Sequence, residues 1–322
     1  MKLFVTGGAG FIGSNYVRHV FAGSDDHVTV FDALTYAGNL ANLAEVEDDP
    51  RYRFVKGDVC DRESVEQAMA GHDAVLHFAA ESHVDRSIAS PDEFVRTNCL
   101  GTNVVCDVAR RAEVDRVVHV STDEVYGSVE QGSSGEGDAL DPRSPYSASK
   151  AGSDLIALSY FSTFALPVLV TRSSNNFGPF QYPEKVIPLF VTNLLDGLQV
   201  PLYGDGMNIR DWCHVEDNCA AIDLVLRRGE IGTVYNIGAG NEVPNRLLVD
   251  KLLALMGAGE DMVRYVEDRL GHDRRYSVDS TRVRALGWAP ARDLDEALAS
   301  TVAWYRDNRR WWEPLKPATS TS

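Results

Sequence analysis

Leu3-Phe4-Val5-Thr6-Gly7-Gly8-Ala9-Gly10-Phe11-Ile12-Gly13, residues 3–13, is the stretch on which the fold turns. A short apolar run breaks into glycines, and an amphipathic stretch follows from about Phe11 to Ala22. The run predicts a strand and the stretch a helix. The glycines read as GxxGxxG from Gly7 or as GxGxxG from Gly8. At a strand-to-helix junction they permit a tight turn, let backbone approach a pyrophosphate, and let the helix pack on the strand. The helix N-terminus then presents free N–H groups and a partial positive charge to the phosphates. In a chain with 26 glycines such a spacing arises by chance about 0.2 times, so its place between strand and helix carries the reading. Asp32 closes the next apolar run, Val28-Thr29-Val30-Phe31, nineteen residues after Gly13. A carboxylate there suits the ribose hydroxyls of NAD and repels the 2′-phosphate of NADP.

The same rhythm continues outward. Tyr52 to Val55, Ala74 to Phe78, Val117 to Val120 and Val168 to Val170 predict further strands. Helical patterns lie between them at 61–70, 91–112 and 145–164. Continuously apolar, β-branched runs are what strands buried on both faces require. Strands alternating with helices predict an α/β, doubly wound parallel sheet of Rossmann type. After about residue 175 the pattern loosens: Pro179, Pro183, Pro188 and Pro201 crowd a stretch with few long strands, and helical periods return at 214–228, 245–256 and 293–307. This predicts a dinucleotide domain over 1–175 with later returning segments, a smaller α+β substrate lobe mainly over 176–316, and a disordered tail at 317–322.

Composition narrows the function. The 322 residues carry 31 Lys plus Arg against 47 Asp plus Glu, a net charge of −16. Such a surface repels nucleic acid and anionic membrane, so neither is expected as a partner. No apolar run approaches the ~20 residues of a membrane-spanning helix. The N-terminus reaches its glycines too soon to read as a signal peptide. Five cysteines without a CxxC predict a reducing cytoplasm with neither disulfide nor zinc, and the eight histidines show no ligand spacing. Only six basic residues are lysines, so each is worth weighing singly.

Two constellations carry chemistry. Tyr146 and Lys150 stand at i, i+4 on a predicted helix, which puts both side chains on one face. A neighbouring ammonium favours the phenolate and fits Tyr146 to take a proton from a substrate hydroxyl as hydride leaves the same carbon. Ser121-Thr122-Asp123-Glu124 follows the fifth strand, so two carboxylates sit at the carboxyl end of a parallel sheet, where ligands lie. Thr122 offers a hydroxyl to the oxygen being oxidised, and Asp123 and Glu124 can divide acid and base roles. Asp58 after the third strand can reach an adenine edge, and the small residues of Phe78-Ala79-Ala80 leave room for the middle of a cofactor.

These motifs resemble the extended short-chain dehydrogenases/reductases, and within them the dTDP-glucose 4,6-dehydratases. The likeness includes AAESHVDRSI (79–88), VSTDEVYGS (120–128), SPYSASKAGSD (144–154), SNNFGPFQYPEK (174–185), PLYGDGMNIRDW (201–212) and DRLGHDRRYS (268–277), and reaches to about residue 316. Thr-Asp-Glu at 122–124 separates the dehydratases from the sugar-nucleotide epimerases. The resemblance implies a tightly bound NAD regenerated each turnover and dTDP-glucose as substrate. It implies that Tyr146 deprotonates the C4 hydroxyl as hydride passes to NAD, that Glu124 removes the C5 proton, and that Asp123 protonates the departing C6 hydroxyl. Hydride then returns to C6, giving dTDP-4-keto-6-deoxyglucose and water.

It implies cofactor contacts at Gly7, Gly10, Phe11, Ile12, Gly13, Asp32, Leu34, Thr35, Asp58, Val59, Phe78, Ala79, Ala80, Thr97, Tyr146, Lys150 and Asn176. Substrate contacts would be Ser82, Thr122, Asn175, Lys185, Val186, Pro201, Leu202, Tyr203, Arg210, Asn245, Arg269, His272 and Tyr276. Among them Arg210 would clamp the pyrophosphate, because a guanidinium fork matches two phosphate oxygens. The resemblance also implies a homodimer through a four-helix bundle of 91–112 and 145–164 with their mates, and a place in cell-wall rhamnose or antibiotic deoxysugar biosynthesis. An epimerase or decarboxylase on the same scaffold would need no Asp-Glu pair. A non-catalytic NAD-sensing module would have lost Tyr146, Lys150 or the carboxylates. Residues 130–141 are richer in Gly and Ser than loops at this place in the family, and predict a mobile loop.

Overall fold

The computed structural model describes residues 1–316, so the tail expected at 317–322 lies outside the described residues. Strand β1 (Lys2–Thr6) leads through the glycine turn into α1 (Phe11–Gly23), followed by β2 (His27–Asp32), β3 (Tyr52–Lys56), α2 (Arg62–Met69) and β4 (Ala74–His77). Then come α3 (Val84–Ala89), α4 (Pro91–Phe94), a π-helical segment (Val95–Gly101), α5 (Thr102–Arg111), β5 (Arg116–Thr122), α6 (Pro145–Phe164) and β6 (Val168–Ser173). The second half runs β7 (Asn175–Phe177), α7 (Val186–Leu195), β8 (Val200–Tyr203), β9 (Ile209–His214), α8 (Val215–Arg228), β10 (Val234–Ile237), β11 (Glu242–Pro244) and α9 (Asn245–Met256). It closes with β12 (Val263–Val266), α10 (Thr281–Ala285), α11 (Leu294–Asp307) and α12 (Arg309–Trp312).

Seven strands form one parallel sheet in the order β10-β6-β5-β4-β1-β2-β3. Val5 stands between Val30 of β2 and Leu76 of β4. The chain builds outward from β1 in one direction through β2 and β3, then in the other through β4, β5, β6 and β10. The strand order therefore reverses between β1 and β4, and the crevice beyond their carboxyl ends is where an open α/β sheet takes its ligand. Strands β4 and β6 are buried along their whole length, so both faces of the sheet need cover. One face packs Leu3, Val5, Val28 and Leu76 with Tyr16 and Val17 of α1 and Ile222 and Val225 of α8. The other packs Phe4, Val75 and Val117 with Val65 of α2, Val105 of α5 and Ala157 of α6. Each such large apolar side chain, fully buried, contributes about 1.5–3 kcal/mol.

The later chain returns to this sheet twice. Helix α8 lies on α1, β10 pairs with β6, and Val283 and Trp288 enter the same core. A second apolar core gathers Phe177, Ile187, Phe190, Leu202, Leu248, Leu252, Leu298 and Trp312 beneath the small sheets β11-β9-β7 and β12-β8.

Two expectations differ from what is seen. The continuous helix expected over 91–112 is interrupted by the π-helical turn Val95–Gly101, which widens the helix beside the cleft. The loop at 130–141, expected to be mobile, is tied down. Ser134 N–H donates to the Ser277 carbonyl at 2.9 Å, the Ser134 carbonyl accepts from Asp279 N–H at 2.9 Å, and Asn236 N–H donates to Glu136 Oε1 at 3.2 Å. Its partners come from residues 236 and 277–279, a separation that local composition does not reveal.

Candidate active site

A cavity of about 620 Å³ opens at the switch point between β1 and β4. Gly7, Gly10, Phe11, Ile12, Gly13, Asp32, Thr35, Asp58, Val59, Phe78, Ala79, Ala80, Ser82, Thr97, Tyr146, Lys150 and Lys185 line it together. The glycine turn is built for close approach. Gly7 has φ +68°, and a Cβ there would meet the Ala79 backbone nitrogen at 2.6 Å. A Cβ on Gly13 would meet the Gly7 carbonyl oxygen at 2.3 Å. Gly10 precedes α1 with no side chain capping the helix. The first-turn N–H groups of a 13-residue helix thus lie open beside the cavity, the arrangement that holds a phosphate.

Asp32 accepts from Ala9 N–H at 3.0 Å and Leu34 N–H at 2.8 Å, while burial pushes its carboxyl above the usual range. Leu34 has φ +53° and stands outside the cavity lining, so its contribution is the backbone turn that aims Asp32. Asp58 is paired with Arg96 at 2.9 Å. These features fit an adenine dinucleotide: a carboxylate for ribose, open amides for a pyrophosphate, small residues beneath its middle.

Helix α6 sets the catalytic pair. Ser144 caps it in a reciprocal capping box with Ser147, and Pro145 holds the first helical position. Tyr146 and Lys150 then project one turn apart and both line the cavity. Lys150 Nζ donates to the Val120 carbonyl at 2.7 Å, and burial lowers its pKa to about 8. Tyr146 departs from expectation: burial first, then the Glu124 carboxylate, hold its phenol well above the ordinary value, with the Thr122 hydroxyl acting in the opposite sense. In this state Tyr146 is a neutral phenol, and the ammonium at Lys150 is turned to the β5 backbone.

Thr122 caps the short turn after β5: its Oγ1 accepts from Glu124 N–H at 3.3 Å and donates to Asp123 Oδ1 at 3.2 Å. The two carboxylates sit in different fields. Burial, then Glu124 and Asp211, push Asp123 well above the carboxylate range. Glu124 is also raised by burial, but Arg269, Arg210 and Lys185 oppose the shift. Lys185 Nζ donates to the Ser82 carbonyl at 2.6 Å.

Beyond this centre the remaining positions lie on the smaller sheets, at the starts of α7 and α9, and in the loop between β12 and α10. Arg210 on β9 donates to the carbonyls of Ile209 at 2.7 Å and Asp273 at 2.9 Å, and lies 4.2 Å over the Tyr276 ring. Tyr276 donates to Asp273 Oδ2 at 2.8 Å. His272 Nδ1 stands 2.6 Å from Asp268, its ring edge-on to Tyr203 at 6.1 Å. Asn175 Oδ1, Asn176 Oδ1 and Arg269 Nε are buried without protein partners, polar atoms available to a ligand. Val186 and Asn245 open α7 and α9, and Pro201 opens the β8 edge toward Tyr203. Leu202, expected to touch the substrate, is 2% exposed and belongs to the second core, whereas Pro201 and Tyr203 on either side are more open. None of Arg210, Arg269, His272 and Tyr276 lines the large cavity itself.

Sequence reasoning passed over Tyr36, Arg86, Glu93, Arg96, Gln181, Tyr182 and Glu184, which all line the cavity. Arg86, Gln181, Tyr182 and Glu184 fall inside quoted segments, where a charged, aromatic or amide side chain was the signal available. His83, without a role in the sequence, caps α3 by accepting from Arg86 N–H at 3.3 Å.

A family described as GDP-mannose 4,6 dehydratase matches residues 4–301. A dTDP-glucose 4,6-dehydratase of Streptomyces antibioticus is 58% identical over 98% of this chain and 96% of its own. The chain belongs to the dTDP-glucose 4,6-dehydratase family. The dTDP-glucose 4,6-dehydratase DesIV of Streptomyces venezuelae, solved with NAD and TYD bound, superposes with a TM-score of 0.97 at 56% identity, covering 98% of this chain and 100% of that one. The Bacillus anthracis dTDP-glucose 4,6-dehydratase, solved in complex with NAD, gives 0.92 at 46%, covering 98% and 100%. Among the described residues no group of three His, Cys, Asp or Glu is placed to hold a metal, and no helix is long and apolar enough to cross a membrane.

Proposed function

We infer that the chain is an NAD-dependent hydro-lyase that converts dTDP-glucose to dTDP-4-keto-6-deoxyglucose and water. The observation that carries this reading is the split environment of Asp123 and Glu124 beside Tyr146. Burial raises both carboxyls; Glu124 and Asp211 add to the rise at Asp123 with Arg210 opposing, whereas Arg269, Arg210 and Lys185 all oppose it at Glu124, so Asp123 is the better acid and Glu124 the better base. An elimination needs such a pair: a base for the proton at C5 and an acid for the leaving hydroxyl at C6. Bound NAD supplies the hydride acceptor for C4 and the hydride donor for C6.

The chain's own residues do the rest. Tyr146, held by Thr122, acts from its phenolate form, which the Lys150 ammonium favours, and becomes the neutral phenol as it takes the C4 hydroxyl proton. The C4 ketone acidifies C5, Glu124 removes that proton, and Asp123 hands its own to the C6 hydroxyl, which leaves as water. Glu124 returns its proton to C5, and the proton Tyr146 took restores Asp123, which closes the cycle. The helix α1 N-terminus and Asp32 hold the cofactor, with Gly7 to Gly13, Leu34, Thr35, Asp58, Val59, Phe78 to Ala80, Thr97 and Asn176 around it. Ser82, Thr122, Asn175, Lys185, Val186, Pro201, Tyr203, Arg210, Asn245, Arg269, His272 and Tyr276 take the nucleotide sugar. Arg210 donates to backbone carbonyls on one side and keeps guanidinium N–H groups for the pyrophosphate.

Residues 1–175 with the returning segments form the cofactor domain, and 176–316 mainly the substrate lobe. The enzyme works in the cytoplasm as a homodimer. Val95, Leu100, Leu155 and Phe164, exposed on the long helices, support that pairing. Its product enters deoxysugar biosynthesis, of an antibiotic or of cell-wall rhamnose.

Purified protein given dTDP-glucose without added reductant should yield the ultraviolet absorbance of a 4-keto sugar in base. Accumulation of a C4 epimer would overturn the reading, and competition between dTDP-glucose and UDP-glucose tests the choice of base.

A further inference from the structure

Three segments from different parts of the chain meet over the cofactor cleft. Tyr36 lies in the loop after β2, four residues past Asp32. Arg86 stands on α3, after β4, and Tyr182 and Glu184 precede α7. All four line the cavity. The Arg86 guanidinium lies 3.8 Å over the Tyr36 ring and pairs with Glu184 Oε2 through Nη2 at 3.0 Å and Nε at 3.1 Å. Tyr182 meets Tyr36 edge-on at 5.5 Å. The Arg86 side chain is 45% exposed and that of Glu184 8%, so the pair runs from solvent into the cleft wall.

Each piece also has an anchor of its own. The Tyr36 loop hangs from Asp32, whose Oδ1 holds Leu34 N–H. The segment before Tyr182 is held by Tyr305, whose hydroxyl donates to the Gln181 carbonyl at 2.5 Å. Helix α3 is capped by His83. Arg86, a long side chain on the surface, touches both of the other two segments at once, through the Tyr36 ring and Glu184.

We propose that Arg86, stacked on Tyr36 and paired with Glu184, forms a clasp across the mouth of the cofactor cleft that sets how fast the dinucleotide enters and leaves. The inference rests on the cofactor reading above: a cofactor that returns to its starting state each turnover gains nothing from exchange. The residues act on residence, outside the chemical steps. A stacked guanidinium contributes about 0.5–2 kcal/mol, equivalent to roughly a twofold to thirtyfold change in rate. The ionic part is screened by salt.

The test is a chase of holoenzyme carrying a fluorescent etheno-NAD with excess NAD, together with stopped-flow binding to the cofactor-stripped protein. Arg86→Ala should speed release roughly tenfold and speed association as well, since a clasp obstructs both directions. Arg86→Lys, which keeps the cation and loses the fork, should fall between. Tyr36→Phe should leave the stacking intact, whereas Tyr36→Ala should match Arg86→Ala. Release rates that stay at the wild-type value in Arg86→Ala and Tyr36→Ala overturn the clasp. So does faster release with association unchanged, which identifies ordinary cofactor contacts. Wild-type protein that takes up no dinucleotide overturns the cofactor reading itself, and is distinguished by a flat titration before any variant is made.

Discussion

Replacing Asp154 by Asn should weaken the protein and disturb its catalytic lysine in one step. Asp154 is fully buried one turn beyond Lys150 on α6, and accepts from Arg172 Nε at 2.9 Å while standing 3.2 Å from His119 Nε2. Arg172 is 3% exposed, so the substitution leaves a guanidinium inside the protein without its counter-charge. Breaking a buried pair from one side costs about 3–5 kcal/mol. The amide oxygen of Asn can still accept from Nε, and Nη1 keeps its bond to the Tyr126 hydroxyl at 2.7 Å, which places the loss near the lower bound, about 3 kcal/mol.

Urea unfolding followed by tryptophan fluorescence measures it. The folded-state pKa of Asp154 is lowered, with His119 and Arg172 overcoming burial. Its stabilisation is therefore full above the unfolded value of about 3.9 and is lost as pH falls through the lower folded value. The wild-type advantage should be complete at neutral pH and should close in acid. Asp154 also stands first among the groups that hold the Lys150 pKa up against burial, with Cys99 second, while His77 and His119 face the same ammonium from β4 and β5. Its removal should move the alkaline limb of kcat/KM to lower pH. A loss under about 1 kcal/mol, or a limb that does not move, would refute the reasoning.

Other outcomes follow from the same geometry. Glu124→Gln should still oxidise C4 but lose about 10²–10⁴-fold in turnover, with the absorbance of reduced cofactor building up; wild-type turnover would remove Glu124 as the C5 base. Tyr146→Phe should show no such absorbance, because the first proton transfer is lost. Wild-type kcat/KM should fall on the alkaline side as Lys150 discharges near its pKa of about 8; a profile flat to pH 10 would separate the ammonium from catalysis. Gly13→Ala drives a Cβ to 2.3 Å from the Gly7 carbonyl and should cost about 1–3 kcal/mol along with cofactor uptake, checked by titration with NAD.

Much of this molecule was legible in residues 1–175, because a buried parallel strand must be apolar throughout and the helix after it must be amphipathic. The glycine turn, Asp32 and the Tyr146–Lys150 spacing are local patterns, and a local pattern survives folding. The helix over 91–112 was placed, but its π-helical turn was not, since one extra residue per turn leaves almost no trace in periodicity. Leu202 came as a ligand contact with the family resemblance, together with Pro201 and Tyr203; its burial depends on α7 and α9 closing over it.

The sequence by itself determined the alternation of strands and helices over residues 1–175, the dinucleotide turn and the chemical types at the site, all set by neighbours within a few residues; the short strands β7 to β12 and helix α7 were not placed. Only the tertiary structure decided charge. Asp123 and Glu124 are adjacent and alike in the chain and share Arg210, yet Asp211 adds to the rise at one while Arg269 and Lys185 oppose it at the other. Tyr146 was expected to be made acidic by Lys150, yet burial governs it and the ammonium faces Val120. The reason is physical: a field inside a protein depends on which groups come within a few ångströms and on how much water has left. Both are properties of segments brought together from across the whole chain.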